Sequence, residues 1–366
     1  MLARPDVTIV GGGVIGLSLA WELAGQGTTV QVLEQGDFGQ QASWAGAGML
    51  PPGNPPFAKT PAARLRASSH VLWEDWTARL REETGLDNGF RRCGGLEVTF
   101  EEPEDLLAEV SAWQEEGVVA EPIDREELHQ QYPLLNPNLL AAYWLPEFRQ
   151  VRNPRHLKAL LAACEKRGVQ LRHSQKVMDF ERSGEQIVSL RTTTERIVSG
   201  KYVLTSGAWS EKLLASLGIP FGIRPIRGQM LLLELSPGLF PYVIQQGRRY
   251  LVPRDDGQIL IGATEEDVGF VRSNTAEAVA SLLGFAQSIV PALAKAKFVQ
   301  CWSGLRPYSP SSLPLLSQIP GLSNTYVAAG HFRDGLQLSP ITAVLMSRLL
   351  SGNAAEIPLE CRLSPK

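Results

Sequence analysis

The sequence has little of what metal sites, disulfide scaffolds and nucleic-acid surfaces require. Its 366 residues include 4 cysteines and 5 histidines, and neither set shows C-x-x-C pairing or the spacing of metal ligands. The formal net charge of −3 gives no basic field for nucleic acid and no polybasic patch for a membrane. We therefore expect reduced thiols, a cytoplasmic protein, no metal, no nucleic-acid or membrane partner, and a small-molecule ligand.

The sequence also lacks an apolar run that is long enough to span a membrane. The candidate segment, Val7 to Ala24, is bracketed by Asp6 and Glu22 and contains four glycines, and it is shorter than the ~20 residues of a span. We expect it to belong to the fold rather than to a signal peptide or an anchor. The length and the 44% hydrophobic content allow a large core divided into two lobes.

The N-terminal stretch is typical of a dinucleotide-binding βαβ unit. A β-branched run at 7–10 leads into a Gly-x-Gly-x-x-Gly motif formed by Gly11, Gly13 and Gly16, and a second such run follows a helical pattern. Gly11 permits a sharp turn, Gly13 allows a pyrophosphate to approach the backbone, and Gly16 allows the helix to pack closely on the strand. The helix that starts near Val14 points its unpaired N–H groups at the phosphates.

An acid at the tip of the second strand narrows the choice of dinucleotide. Glu34 is placed to accept hydrogen bonds from both hydroxyl groups of a ribose. The same carboxylate repels a 2′-phosphate, so NADP is disfavoured. These residues alone leave NAD and FAD as the two alternatives.

Helix and strand patterns alternate along the rest of the chain. Helices are predicted for 61–83, for 104–116, after a cap at Asn153, and for 276–289. Period-two alternation at 227–234, 249–254 and 258–264 predicts an antiparallel sheet. We predict a mixed α/β fold with a discontinuous Rossmann-like dinucleotide domain of residues 1–88, 150–215 and 303–366. The second lobe, residues 89–149 and 216–302, would be the substrate-binding domain on an antiparallel or mixed sheet.

Taken together, the motifs resemble the flavin-dependent amine oxidoreductases of the D-amino-acid oxidase and sarcosine oxidase superfamily. The resemblance rests on the stretches 11–16 with Glu34, 42–49, 207–210, 250–254, 302–307 and 330–335, and so extends over nearly the whole chain. It departs at Ser311 and Ser312, where the family usually has an acid and a glycine. The resemblance implies non-covalent FAD and a substrate site under a mixed sheet.

Candidate FAD-binding residues lie in six parts of the chain, and glycine or other small residues occur in four of them. They are Gly11, Gly13, Val14, Ile15, Gly16, Glu34, Gln35, Ser43, Trp44, Ala45, Gly48, Met49, Val177, Ser206, Gly207, Trp209, Gly330, His331, Arg333, Asp334, Gly335 and Leu336. We expect an apolar helix to start near Gly335, so that its N–H groups and positive dipole end face flavin N1 and the C2 carbonyl, where reduction places negative charge.

The substrate is expected to bind through its carboxylate. Arg306 is the first candidate, because a planar guanidinium holds a carboxylate with two parallel hydrogen bonds. The resemblance assigns a phenolic hydrogen bond to Tyr250, and Arg333 would complete an electropositive floor. Met49 and Met230 are candidates for the pocket lining, although core packing is the preferred interpretation of Met230.

The implied activity is oxidation of glycine or another small amine, such as sarcosine or D-alanine. A hydride would pass from the α-carbon of the neutral amine to flavin N5, O2 would become H2O2, and no general base is evident. The imine would be hydrolysed to glyoxylate and ammonia or used for the thiazole of thiamine. Two alternatives are a D-amino-acid or proline-type dehydrogenase that reduces a quinone or carrier, and a non-catalytic flavin-binding partner in an assembly or in RNA modification. A homo-oligomer is compatible with the sequence.

Overall fold

Strands and helices alternate along the chain as the sequence patterns predict. The computed structural model describes residues 4–101, 103–235 and 238–363. The strands are β1 Val7–Val10, β2 Val30–Leu33, β3 Met49–Leu50, β4 Arg91–Arg92, β5 Gly95–Thr99, β6 Glu121–Ile123, β7 Ala141–Leu145, β8 Arg149–Gln150, β9 Gln170–Arg172, β10 Val177–Ser183, β11 Gln186–Thr192, β12 Arg196–Ile197, β13 Lys201–Leu204, β14 Arg224–Glu234, β15 Val243–Gln246, β16 Arg249–Pro253, β17 Gln258–Gly262, β18 Lys297–Tyr308, β19 Leu315–Gln318 and β20 Thr325–Ala329. The helices are α1 Val14–Gly25, α2 Ala42–Ala45, α3 Pro61–Thr84, α4 Pro103–Glu115, α5 Arg125–Gln131, α6 Asn153–Lys166, α7 Ser210–Ser216, α8 Ala276–Ile289 and α9 Ser339–Leu350.

A six-stranded sheet contains the dinucleotide motif at its centre. Its strand order is β19-β20-β13-β1-β2-β9, and all neighbouring pairs are parallel except β19 with β20. Helices α1, α6 and α9 pack on one face of this sheet, where their side chains form a buried apolar cluster with those of the strands. The small β10-β11-β12 sheet packs on the opposite face in a second buried cluster. The carboxyl ends of β1, β2, β13 and β20 therefore meet at one edge, which is where ligands bind in such sheets.

The second large sheet is mixed and has eight strands, in the order β18-β14-β17-β16-β15-β5-β7-β6. The predicted antiparallel pairing of β14, β16 and β17 is confirmed, and the pair of β15 with β5 is parallel. Helix α8 packs its apolar side against this sheet in a buried cluster. The mixed α/β fold predicted from the sequence is confirmed.

Helix boundaries agree closely with the sequence signals in α3 and α8. Thr60 caps α3 by accepting a hydrogen bond from the N–H of Ala63 at 3.1 Å, and Gly85 ends the helix with a left-handed φ of 73°. The predicted N-cap at Asn153 is wrong, because Arg152 occupies the N-cap position of α6. The Asn153 amide instead donates to the carbonyl of Ser43 at 2.7 Å.

The division into two domains stays a prediction. Strand β18 runs without interruption from Lys297 to Tyr308, and so continues through the boundary placed between residues 302 and 303. In the described part of the chain, no helix combines the length and apolarity needed to cross a membrane.

Candidate functional site

A cavity of about 440 Å³ extends from the carboxyl edge of the six-stranded sheet to the eight-stranded sheet. Most of the predicted site residues line it, although they come from distant parts of the chain. They are Gly11, Gly13, Val14, Ile15, Glu34, Gln35, Ser43, Ala45, Gly48, Met49, Val177, Ser206, Gly207, Trp209, Met230, Tyr250, Arg306, His331, Arg333, Asp334, Gly335 and Leu336. We call the part that borders the six-stranded sheet the cofactor end, and the part that borders β14, β16 and β18 the substrate end.

The glycines of the motif allow backbone contacts that a side chain would prevent. Gly11 has φ of 120°, and a Cβ added there would lie 2.6 Å from the carbonyl oxygen of Thr205, directly after the neighbouring strand β13. A Cβ on Gly16 would lie 2.0 Å from the carbonyl oxygen of Gly11. Gly16 thus brings α1 directly onto β1, as predicted, and the first turn of α1 opens into the cavity.

Glu34 lies at the cofactor end with both carboxylate oxygens fixed. One oxygen accepts the N–H of Gly12 at 2.8 Å and the other accepts the N–H of Gly36 at 3.0 Å. The side chain is 7% exposed, and each oxygen keeps a further lone pair for a ligand hydroxyl. The motif and its acid are therefore joined by a direct hydrogen bond, which sequence spacing alone does not reveal.

The small-residue loop around Ser43 is anchored by polar side chains from elsewhere in the chain. The Ser43 hydroxyl accepts the N–H of Val14 at 2.9 Å, and Asn153 holds the Ser43 carbonyl. The Arg254 guanidinium, 8% exposed, donates to the carbonyl of Ala47 at 2.7 Å. Burial lowers the pKa of Arg254 to about 9. The anchoring roles of Asn153 and Arg254 were not predicted, because the residues they bind are far away in the sequence.

Strand register assembles the substrate end. Tyr250 of β16 lies opposite Gly262 of β17, where a Cβ would come within 2.6 Å of the phenol oxygen. The phenol group therefore lies over bare backbone, meaning backbone at a glycine that has no side chain. Its oxygen is 3.9 Å from the sulfur of Met230. Met230 is 2% exposed and borders the cavity, so it both packs in the core and lines the pocket.

The guanidinium group of Arg306 lies over a second glycine of the same sheet, Gly228. A Cβ on Gly228 would lie 2.2 Å from its Nη1 atom, which donates to the carbonyl of Thr264 at 2.9 Å. Burial lowers the pKa of the Arg306 guanidinium from its usual value, and neighbouring Tyr250 opposes that shift. The remaining N–H groups can hold a carboxylate beside the Tyr250 hydroxyl. Gly228 and Gly262 were not predicted, since their role depends on register.

Arg333 lies at the mouth of the cavity and is paired with an acid that the sequence analysis did not identify. Its Nη2 atom donates to Glu265, whose other oxygen accepts from Arg248 at 2.9 Å. Burial raises the pKa of the Glu265 carboxyl, but the hydrogen bond from Arg333 and the surrounding positive charges outweigh it and lower the pKa below its usual value. The run Glu265-Glu266-Asp267 at a strand end was a visible signal for this cluster.

The turn after β20 differs from the expectation. Helix α9 begins at Ser339 rather than near Gly335, because the N–H of Leu338 bonds to the carbonyl of Asp334 at 2.8 Å in a separate turn. This turn, and not the helix start, borders the cavity. His331 is 5% exposed and bonds to Thr342 at 3.0 Å, and burial lowers the pKa of its imidazole to about 3.

Three predicted site residues lie beside the cavity rather than on it. Gly16 packs α1 on β1, Gly330 makes a turn with φ of 78° against Ser309, and Trp44 packs edge-on against Trp302 at 5.4 Å. Trp44 borders a neighbouring cavity. Their assignment to the cofactor site stays a prediction.

The loop that departs from the family pattern is held by its own hydrogen bonds. The hydroxyls of Ser309 and Ser311 lie 2.9 Å apart, and the N–H of Ser312 bonds to the carbonyl of Ser309 at 3.0 Å. The two serines that replace the acid and the glycine, Ser311 and Ser312, are exposed. Neither is among the residues that border the cavity.

The residues at the cofactor end fit a flavin dinucleotide. The glycine-lined start of α1 suits a pyrophosphate, and Glu34 suits a ribose. Asn153, 1% exposed, borders the cavity and has an amide oxygen without a partner among the described residues. A buried acceptor of this kind requires a donor from a ligand or from water.

The fold and the cavity are those of a dinucleotide-dependent oxidoreductase, with the guanidinium of Arg306 at the far end of the site. The family model described as FAD dependent oxidoreductase matches residues 6–349. The chain belongs to this family of FAD dependent oxidoreductases, and the expectation of FAD rather than NAD is confirmed.

Relatives cover nearly the whole chain. It is 34% identical to the glycine oxidase of Pseudomonas aeruginosa over 94% of this chain and 94% of that protein. It is also 34% identical to the bifunctional protein ThiO/ThiG of Synechocystis, and the match covers 96% of this chain. The chain spans about half (52%) of that longer protein. The crystal structure of glycine oxidase from Geobacillus kaustophilus matches with a TM-score of 0.93 and 32% identity, covering 99% of this chain and 98% of that one.

Proposed function

We propose that the protein oxidises glycine, or another small amine such as sarcosine or D-alanine, at the α-carbon. The amine loses two electrons and two protons to give an imine, and O2 gains them as H2O2. The observation that carries the proposal is the placement of Arg306 and Tyr250 in the same cavity as the glycine-rich motif. Relatives named glycine oxidase support this choice of substrate.

The substrate carboxylate binds to Arg306 and Tyr250. One N–H of Arg306 is held by Thr264, so the guanidinium plane is fixed before the substrate arrives. The Tyr250 hydroxyl faces the weakly accepting sulfur of Met230, and it gains a stronger hydrogen bond when a carboxylate binds. Both groups therefore orient the α-carbon with little rearrangement.

The amine is expected to react in its neutral form. Met230 and Met49 give that part of the cavity an apolar lining, which disfavours a charged ammonium group. His331 does not serve as a base, because its pKa is about 3 and its Nε2 atom is bonded to Thr342. FAD, when bound, supplies the two-electron acceptor for this reaction.

The residues that hold FAD are proposed to be the predicted set at the cofactor end. The first turn of α1 binds the pyrophosphate, Glu34 binds a ribose, and the loop from Ser43 to Met49 and the turn at Gly335 border the flavin ring. Contact of these segments with one continuous cavity supports the assignment.

The imine leaves as glyoxylate and ammonia after hydrolysis, or it enters thiazole synthesis, as the likeness to the ThiO/ThiG proteins suggests. A cytoplasmic location suits the four free thiols, which include buried Cys164 and Cys361. The near-balanced charge supports a protein that acts without nucleic acid.

Anaerobic titration of the purified holoprotein with glycine, sarcosine and D-alanine tests the proposal. We expect glycine to bleach the flavin absorbance, and admission of air to restore it with formation of H2O2. Bleaching by none of the three amines would overturn the proposal. Slow recovery in air with fast reduction of a quinone-like dye would identify a dehydrogenase instead.

A further inference from the structure

The substrate end carries more positive charge than one carboxylate can use. Arg248, Arg306 and Arg333 all border it, and Glu265 is the carboxylate that binds two of them. Three guanidinium groups with one carboxylate leave two formal positive charges. The α-carboxylate of an amino acid at Arg306 neutralises one of these charges, and the other stays near Arg248 and Arg333.

A further acid that borders the cavity, Asp334, does little to offset that excess. Burial raises the pKa of its carboxyl. Arg66 of α3 and then Arg333 oppose that rise, but burial outweighs them. The neutral form of Asp334 is therefore favoured, so this residue offsets the positive charge less than an exposed carboxylate would.

Arg248 borders the cavity from the turn between β15 and β16, two residues before Tyr250. The next residue, Arg249, points the other way: it stacks on Phe285 of α8 at 5.7 Å and donates to Ser281 at 2.9 Å. Two adjacent arginines thus have different surroundings, which provides a matched control.

Arg248 is free to change partners. Its side chain is 77% exposed, and Glu265 is shared with Arg333. One carboxylate bridges the two guanidinium groups and keeps them close together without neutralising both. A second anion brought by a substrate would complete the charge balance.

We propose that Arg248, together with Arg333, forms a subsite for a second carboxylate on the substrate, carried by its amino substituent or side chain. The preferred amines would then be small amino dicarboxylates rather than glycine alone. This inference rests on the proposed function, because it assumes that the α-carboxylate binds to Arg306.

A pair of analogues that cannot be oxidised tests the subsite by binding alone. Diglycolate and methoxyacetate differ in that a carboxymethyl group replaces a methyl group. Titration of the holoprotein, followed by the shift in flavin absorbance, should give about fivefold tighter binding of diglycolate. Arg248→Ala should abolish this preference, Arg249→Ala should keep it, and high salt should weaken it.

Kinetics with the corresponding amines gives the second readout. Arg248→Ala should raise KM for iminodiacetate about fivefold while KM for sarcosine stays within about twofold. Equal binding of the two analogues by the unaltered protein, or equal effects of Arg248→Ala and Arg249→Ala, would overturn the inference. Failure of the proposed function has a different signature, because then no amine bleaches the flavin whatever residue occupies position 248.

Discussion

The two ends of the cavity are built in different ways. The cofactor end consists mainly of backbone and small side chains, with contacts such as the one between the N–H of Gly12 and Glu34. The substrate end consists of long side chains that strand register brings together, such as Tyr250 over Gly262 and Arg306 over Gly228. The first end depends on how closely backbone can approach, whereas the second depends on which functional groups lie over bare backbone.

Arg306→Ala should give the largest effect and should be confined to the substrate end. Loss of the carboxylate partner is expected to raise KM for glycine about 100-fold, because a charge-assisted contact of this kind contributes several kcal/mol. FAD content should not change. The measurement is steady-state kinetics together with the ratio of flavin to protein absorbance.

Arg306→Lys provides the control for charge. Lysine keeps the positive charge without the planar fork, so part of the affinity for glycine should return. An unaltered KM in the alanine variant would remove Arg306 from the assigned role.

Gly11→Ala should damage the cofactor end alone. Its φ of 120° and the 2.6 Å approach to Thr205 leave no room for a methyl group, so we expect FAD to dissociate about 30-fold more readily. Gly27 is the matched control, since its φ of 84° is also left-handed but no atom lies within 4 Å of its added Cβ. Equal loss of FAD from both variants, measured by fluorescence of released flavin, would mean that backbone strain alone is responsible.

Gly228→Ala should change the substrate end without removing a functional group. The new methyl group would displace the Arg306 guanidinium, and we expect KM for glycine to rise about fivefold with unchanged FAD affinity. Gly284 of α8 has open space around its Cβ position, and Gly284→Ala should leave KM unaltered. A loss of FAD in Gly228→Ala would show that the two ends are not independent.

The last effect concerns stability at low pH and the turn after β20, and it leaves both ends of the cavity unchanged at neutral pH. Burial holds the pKa of His331 at about 3, below the ordinary value of 6.5. Between pH 6.5 and about 3, the unfolded chain binds a proton at this histidine that the folded protein does not bind. The free energy of unfolding therefore falls as the pH decreases through this range. The loss approaches about 1.4 kcal/mol per pH unit for one histidine.

His331→Gln should reduce this loss. Denaturant unfolding at a series of pH values measures the slope, and the variant should depend on pH more weakly by about one proton. His156 and His70 are also buried with lowered pKa values and will keep part of the dependence. An unchanged slope would mean that His331 does not contribute to acid lability.

The same contrast explains what the sequence could predict. The turn at Gly11, the acid at Glu34 and the bounds of α3 and α8 follow from local patterns, and the structure places them as expected. Arg306 was predicted from the chemistry of carboxylate binding and Tyr250 through a family resemblance. Gly228, Glu265 and Asn153 were missed, because their roles depend on residues far away in the sequence. The helix start near Gly335 was wrong, since a separate turn precedes α9.

A crystal structure of the holoprotein with glycolate, which resembles glycine without its amine, tests the central claim most directly. We expect FAD to extend from the start of α1 to the turn at Gly335, with the glycolate carboxylate bound by Arg306 and Tyr250. Glycolate bound elsewhere, with Arg306 still directed only at Thr264, would contradict it.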